Sequence, residues 1–134
     1  MMTVLRRTVL GLLLALFSLP TVAQEVVHQD YSEALLEELD ASGEPYILDF
    51  YAPWCVTCAA QQRVIGALQA ENEAYREVTI VQVDWDTHRE GPLVAELGIP
   101  RRSTLVLMQG GEEIMRLVAD TRREAIEGLF EAAL

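Results

Sequence analysis

Asp49-Phe50-Tyr51-Ala52-Pro53-Trp54-Cys55-Val56-Thr57-Cys58 carries an apolar run directly into the only two cysteines of the chain. With Tyr46-Ile47-Leu48 before it, the run has strand length and the near-continuous apolarity of a strand covered on both faces. Pro53 ends it, and a helix is expected over Cys55–Tyr75 with Val64, Ile65 and Leu68 on its inner side. Cys55 then falls at a helix N-terminus, where unpaired N–H groups and the helix dipole favour an anion. Its thiol pKa should drop, making a thiolate available near neutral pH. Cys58 lies one turn further in, less exposed and close enough to close a disulfide. An outer nucleophile and an inner resolving thiol are what dithiol exchange requires.

Outward from this centre, periodicity and punctuation supply the other elements. Glu25–His28 is expected as a short edge strand, and Asp30-Tyr31-Ser32-Glu33 as a capping box. The helix it opens carries Ala34, Leu35 and Leu39 and stops at Gly43 and Pro45. Val78–Trp85 reads as a second central strand, and Pro92–Leu97 as a short helix closed by Gly98. Thr104–Met108 and Glu113–Val118 flank Gly110-Gly111, a hairpin signal. A second capping box, Thr121-Arg122-Arg123-Glu124, should start a last helix that buries Ala125, Ile126, Leu129 and Phe130. The order β-α-β-α-β-α-β-β-α implies an α/β fold: a mixed central sheet flanked by helices, with parallel crossovers first and an antiparallel hairpin at the edge. A domain of this size buries enough surface to stand without a cofactor, and none is expected.

The first residues distort the composition. Arg6 and Arg7 precede an apolar run from Val9 to Leu19, Pro20 breaks it, and Thr21-Val22-Ala23 places small residues where a signal peptidase reads. The run is too short for a spanning helix, which needs roughly 20 apolar residues. Residues 1–23 are therefore expected to be a signal peptide cleaved after Ala23, leaving a domain over 24–134 in the periplasm or secreted. Arg6-Arg7 loosely resembles a twin-arginine signal, but the leucine-dense core is that of the general secretory route. The chain has no lysine, and its formal charge is −11. Without the leader, 8 arginines face 21 acids, a net charge of −13. Such a surface excludes nucleic acid as a partner and argues against docking on an anionic bilayer.

Other uses of the cysteines fare worse. A structural disulfide across so short a loop removes little chain entropy. A zinc site needs four ligands, and the mature chain offers only Cys55, Cys58, His28 and His88, without ligand spacing. No metal is expected.

The segment from Asp49 to Cys58 resembles the active-site segment of the thioredoxin superfamily, and the element order matches that fold along the whole mature chain. The resemblance implies a protein dithiol–disulfide oxidoreductase with Cys55, Cys58 and Asp49 as catalytic residues and a redox-active Cys55–Cys58 disulfide. Asp49 should lie beneath the cysteines and move a proton to or from Cys58; set in an apolar run, its carboxylate should be desolvated and its pKa raised. Trp54, Val56, Thr57, Arg102, Ser103 and Thr104 should contact the substrate, with protein thiols and disulfides as partners. Val56-Thr57 is similar to the dipeptide of secreted reductase domains, and it lacks the histidine of strongly oxidising relatives. This points to a reductant, supplied with electrons by a membrane partner because the envelope is oxidising. The family places a cis-proline opposite the disulfide; here that position is Ser103, with Pro100 the rival if the loop is shifted by three residues. A non-proline cis bond costs about 2.5–4 kcal/mol, so Arg102–Ser103 is expected to be trans. Arg101 and Arg102 either pair with surface acids or serve the site, by selecting an acidic partner or stabilising the Cys55 thiolate. The competing function is a thioredoxin-fold binding or assembly factor, for a metal centre or for cytochrome maturation, with little turnover. A monomer is expected.

Overall fold

The computed structural model describes residues 25–134; the expected signal peptide and its cleavage point after Ala23 lie outside the described residues. The elements are β1 (Gln29–Asp30), α1 (Glu33–Ser42), β2 (Tyr46–Tyr51), α2 (Val56–Glu71), α3 (Glu73–Arg76), β3 (Thr79–Asp84), α4 (Trp85–His88), α5 (Pro92–Leu97), β4 (Thr104–Gln109), β5 (Glu112–Val118) and α6 (Arg123–Ala133). The strands form one sheet in the order β1-β3-β2-β4-β5. β1 and β2 run parallel to β3, while β4 is antiparallel to both β2 and β5. The expected mixed sheet is therefore present, with β2 at its centre.

Alternation along the strands divides the core. Ile47, Ile80, Leu105 and Leu107 face Ile65 and Leu68 of α2 and Ile126, Leu129 and Phe130 of α6. Leu48, Phe50, Val81, Val83 and Val106 take the other face, against Leu35, Leu36 and Leu39 of α1 and Val94 of α5. Asp49 belongs by parity to the first face, the one that α2 covers. Gly110 and Gly111 both have positive φ, 58° and 79°, as a two-residue hairpin turn of the favoured hand requires. Register shifts between Leu107 and Met108, so the edge strand bulges near Ile114.

Five expected boundaries are corrected. The edge strand is Gln29–Asp30, not Glu25–His28, and its backbone pairs with Val81 and Gln82. Because Tyr31 N–H also donates to Gln82 O, the first helix cannot be capped by Asp30. Ser32 is the cap instead, its hydroxyl accepting from Leu35 N–H. Ala34, placed on that helix's apolar side, is exposed. The long helix breaks at Asn72, which adopts an extended conformation and caps α3 by accepting from Ala74 N–H. Trp85 opens α4 rather than closing β3, because Asp84 accepts from Asp86 N–H and Thr87 Oγ1. At α6 the Thr121 box does not form: Arg122 occupies the cap without a side-chain bond, and Asp120 accepts from Arg122 N–H ahead of it.

Candidate active site

Chain direction alone brings the site together. β2 delivers Ala52 at its end, Pro53 and Trp54 turn the chain, and α2 begins at Val56 with Cys55 as its cap. Cys55 and Cys58 are joined by a disulfide, with their Cα atoms 5.2 Å apart. The Cys58 backbone N–H donates to Cys55 Sγ at 3.1 Å. Cys55 Sγ therefore stands where a cap oxygen would, facing the positive end of a 16-residue helix. The sulfurs pack against Ala52, Tyr51 and Trp85 and are almost fully enclosed, while Trp54 and Val56 beside them are 54% and 82% exposed. A partner must meet the site along that rim.

Asp49 is buried. Its Oδ2 accepts from Gln62 Nε2 at 2.6 Å, whereas Oδ1 has no partner. Burial raises its pKa from 3.8 to about 6, against the opposing pull of the Gln62 hydrogen bond, of the Gln82 amide and of His28. Gln62 is four residues beyond Cys58 and so shares its helix face. The carboxyl group thus lies under the face of α2 that carries Cys58.

Ser103 faces the disulfide; Pro100 is exposed. No cis peptide bond occurs among the described residues, and Ser103 instead adopts φ 62°, a left-handed conformation that costs a non-glycine residue roughly 1–2 kcal/mol. It is held there from three sides. Its N–H donates to Phe50 O, and its carbonyl accepts from Ala119 N–H, both at 2.8 Å; Gln61 Nε2 adds a third bond to that carbonyl at 3.1 Å. A proline could not make the first of these. Ser103 Oγ lies 3.0 Å from Cys55 Sγ and 3.1 Å from Cys58 Sγ.

Arg102 forms no ion pair with an acid among the described residues. Its guanidinium carbon sits 4.5 Å from the Trp54 ring centroid, a cation–π contact. Trp54 is anchored from the other side, its Nε1 donating to Asp86 Oδ2 at 2.8 Å. Thr104 is buried, its hydroxyl donating to Arg101 O, whereas Val56 and Thr57 sit in the first turn of α2. Sequence reasoning missed Gln61, Gln62 and Asp86. Gln61 lies on the buried stripe Cys58, Gln61, Ile65, Leu68, and a glutamine on such a stripe signals an internal polar tie.

A cysteine pair at the start of a helix, the first of the two capping it, at the end of a central strand and above a buried acid, defines a dithiol–disulfide oxidoreductase on a mixed five-stranded sheet. The thioredoxin family model matches residues 22–132. The chain is 34% identical over 98 residues to a thioredoxin of Aspergillus fumigatus, covering 73% of this chain and 85% of that protein. It is 28% identical over 86 residues to a bifunctional thioredoxin reductase/thioredoxin of Mycobacterium leprae, covering 64% of this chain and only 18% of that longer protein. The solved structure of Trxlp from Edwardsiella tarda superposes with a TM-score of 0.68 at 30% identity, covering 78% of this chain and 98% of that one. The chain belongs to the thioredoxin family, and its activity is thiol–disulfide exchange on protein disulfides.

Proposed function

We propose that this protein is an exported, periplasmic reductant of protein disulfides, with Cys55 as nucleophile, Cys58 as resolving thiol and Asp49 as proton carrier. The Cys55 thiolate attacks one sulfur of a partner disulfide; a Cys55–partner bond forms, and the partner's other sulfur leaves and takes up a proton. Cys58 then loses its proton to Asp49 and attacks Cys55 Sγ. The Cys55–Cys58 bond forms, the second partner sulfur departs and is protonated, and two electrons have passed to the partner. Renewal needs a dithiol donor, and because the envelope is oxidising that donor is assigned to a membrane partner. Trp54, Val56, Thr57 and Arg102 form the contact rim, whereas Thr104, expected there, is fully buried and supports the loop by donating to Arg101 O.

The observation that carries this reading is Cys55 Sγ in the cap position of α2, accepting the Cys58 N–H. Such a donor stabilises a thiolate without blocking attack. The test is reduction of insulin disulfides by residues 24–134 with dithiothreitol as donor. Turnover that disappears in Cys55→Ser is expected; equal, negligible rates for both proteins would overturn the reading in favour of a binding or assembly factor. Fractionation of cells expressing the full chain should find the shortened form in the periplasm. The unshortened chain in the cytoplasm would refute export.

A further inference from the structure

The hydroxyl of Ser103 is fully buried and touches both sulfurs, at 3.0 and 3.1 Å. Its place is over-determined: three hydrogen bonds fix the Ser103 backbone in a left-handed conformation. Nothing in the packing of the core demands a polar atom at this point, and a hydroxyl placed between two sulfurs is a group aimed at the reacting atoms. We propose that Ser103 is a catalytic residue of this exchange reaction, its hydroxyl donating to whichever cysteine sulfur carries the negative charge.

The chemistry of one hydroxyl makes the role specific. It owns a single proton and two lone pairs, so it cannot donate to both sulfurs together. With Cys55 as thiolate and Cys58 as thiol, both contacts are satisfied: Cys58 S–H donates to Ser103 Oγ, and Ser103 O–H donates to Cys55 Sγ. Once Cys55 is bonded to the partner's sulfur, the charge moves. Cys58 gives its proton to Asp49, and the hydroxyl turns so that its hydrogen meets the Cys58 thiolate. When that thiolate attacks Cys55 Sγ, the Cys55–Cys58 bond forms, the Cys55–partner bond breaks, and the partner sulfur leaves with the electron pair. Ser103 gains and loses no proton overall. Charge-assisted bonds of this kind are the strong ones, and in an enclosed site they favour the thiolate states over the disulfide, which accepts only weakly.

The inference rests on the dithiol-exchange reading but not on export or on any particular partner. Two variants remove the hydroxyl: Ser103→Ala, and Ser103→Gly, which accepts the positive φ without strain. Neither alters the charged and titratable groups of the surrounding elements, namely Asp49 and Tyr51 of β2, Asp86 and His88 of α4, and the Arg101-Arg102 pair. The purified reduced proteins are titrated by thiolate ultraviolet absorbance, then equilibrated with glutathione redox buffers. In both variants the Cys55 midpoint should rise by about one pH unit, leaving the Cys58 N–H as the remaining donor. The glutathione equilibrium should move about tenfold towards the disulfide, equivalent to roughly 30 mV for a two-electron couple. Wild-type values in both variants would overturn the proposal, and so would a shift in Ser103→Gly that Ser103→Ala does not share, since release of backbone strain rather than loss of the hydroxyl would then be its cause. Both measurements use no protein substrate. Failure to reduce insulin therefore removes the reductant reading, while an unmoved titration removes the role of Ser103.

Discussion

Asp49 shows what burial does to one group and how it couples to the fold. Its pKa of about 6 lies above the ordinary 3.8 because desolvation penalises the charged form. Between those values the folded chain holds a proton that the unfolded chain has released, so stability is highest at low pH and falls as pH rises through about 6. At 1.36 kcal/mol per pKa unit the loss is on the order of 2–3 kcal/mol, complete by pH 8. Asp49→Asn keeps an acceptor for Gln62 and removes the ionisation. The oxidised variant should therefore be more stable than wild type by about that amount at pH 8 and indistinguishable from it near pH 3.5. Urea unfolding at both pH values measures this, and a gain independent of pH would contradict it. The same variant should resolve mixed disulfides more slowly. Asp49 was legible in the sequence because an acid interrupts an apolar strand; Gln62 was not, because its only distinction is a partner thirteen positions away.

Among the elements, β2 and the start of α2 were readable, since an apolar run, a proline and a cysteine pair all agree on a strand-to-helix turn. The four-residue helices α3 and α4 were not, because each depends on one capping side chain, Asn72 or Asp84, inside an otherwise continuous pattern. β1 was misplaced for a related reason: two exposed residues carry no alternation, and their register is set by the β3 backbone. The loop carrying Ser103 was legible as a departure from the family's proline, but its tether was not. Gln61 binds that loop to α2 through both Ser103 O and Asp120 O, each at 3.1 Å. Ala119 N–H still serves the Ser103 carbonyl if Gln61 is lost, whereas the Asp120 carbonyl is not so covered. Gln61→Leu should then cost about 1–3 kcal/mol in urea unfolding. It should also slow exchange by loosening Ser103 over the sulfurs. Unchanged stability together with unchanged rate would show that the tether is dispensable.

At the scale of the whole molecule, the described residues carry 21 acids against 8 arginines. Arg116, Arg122 and Arg123 are already paired with Glu113, Asp120 and Glu71. The long-range field is therefore negative, while the rim of the site carries Arg102 stacked on Trp54. These two influences have different ranges. The field of many exposed acids reaches about 30 Å at 10 mM salt and about 8 Å at 150 mM, whereas a contact at the rim acts at a few ångströms and is screened little. Approach and docking should consequently respond to opposite charges. A basic disulfide peptide should be reduced faster at low salt, its rate falling roughly tenfold by 0.2 M as steering is lost. An acidic peptide should speed up over the same range as repulsion is screened, and once screened it gains from Arg102. Arg102→Ala should slow the acidic peptide at 0.2 M while leaving the salt slope of the basic one unchanged. Stopped-flow tryptophan fluorescence, which reports on Trp54 at the rim and Trp85 against the sulfurs, follows both reactions. Equal slopes for the two peptides would mean that the net charge does not reach the site, and an Arg102→Ala effect on both alike would reduce Arg102 to a support for Trp54.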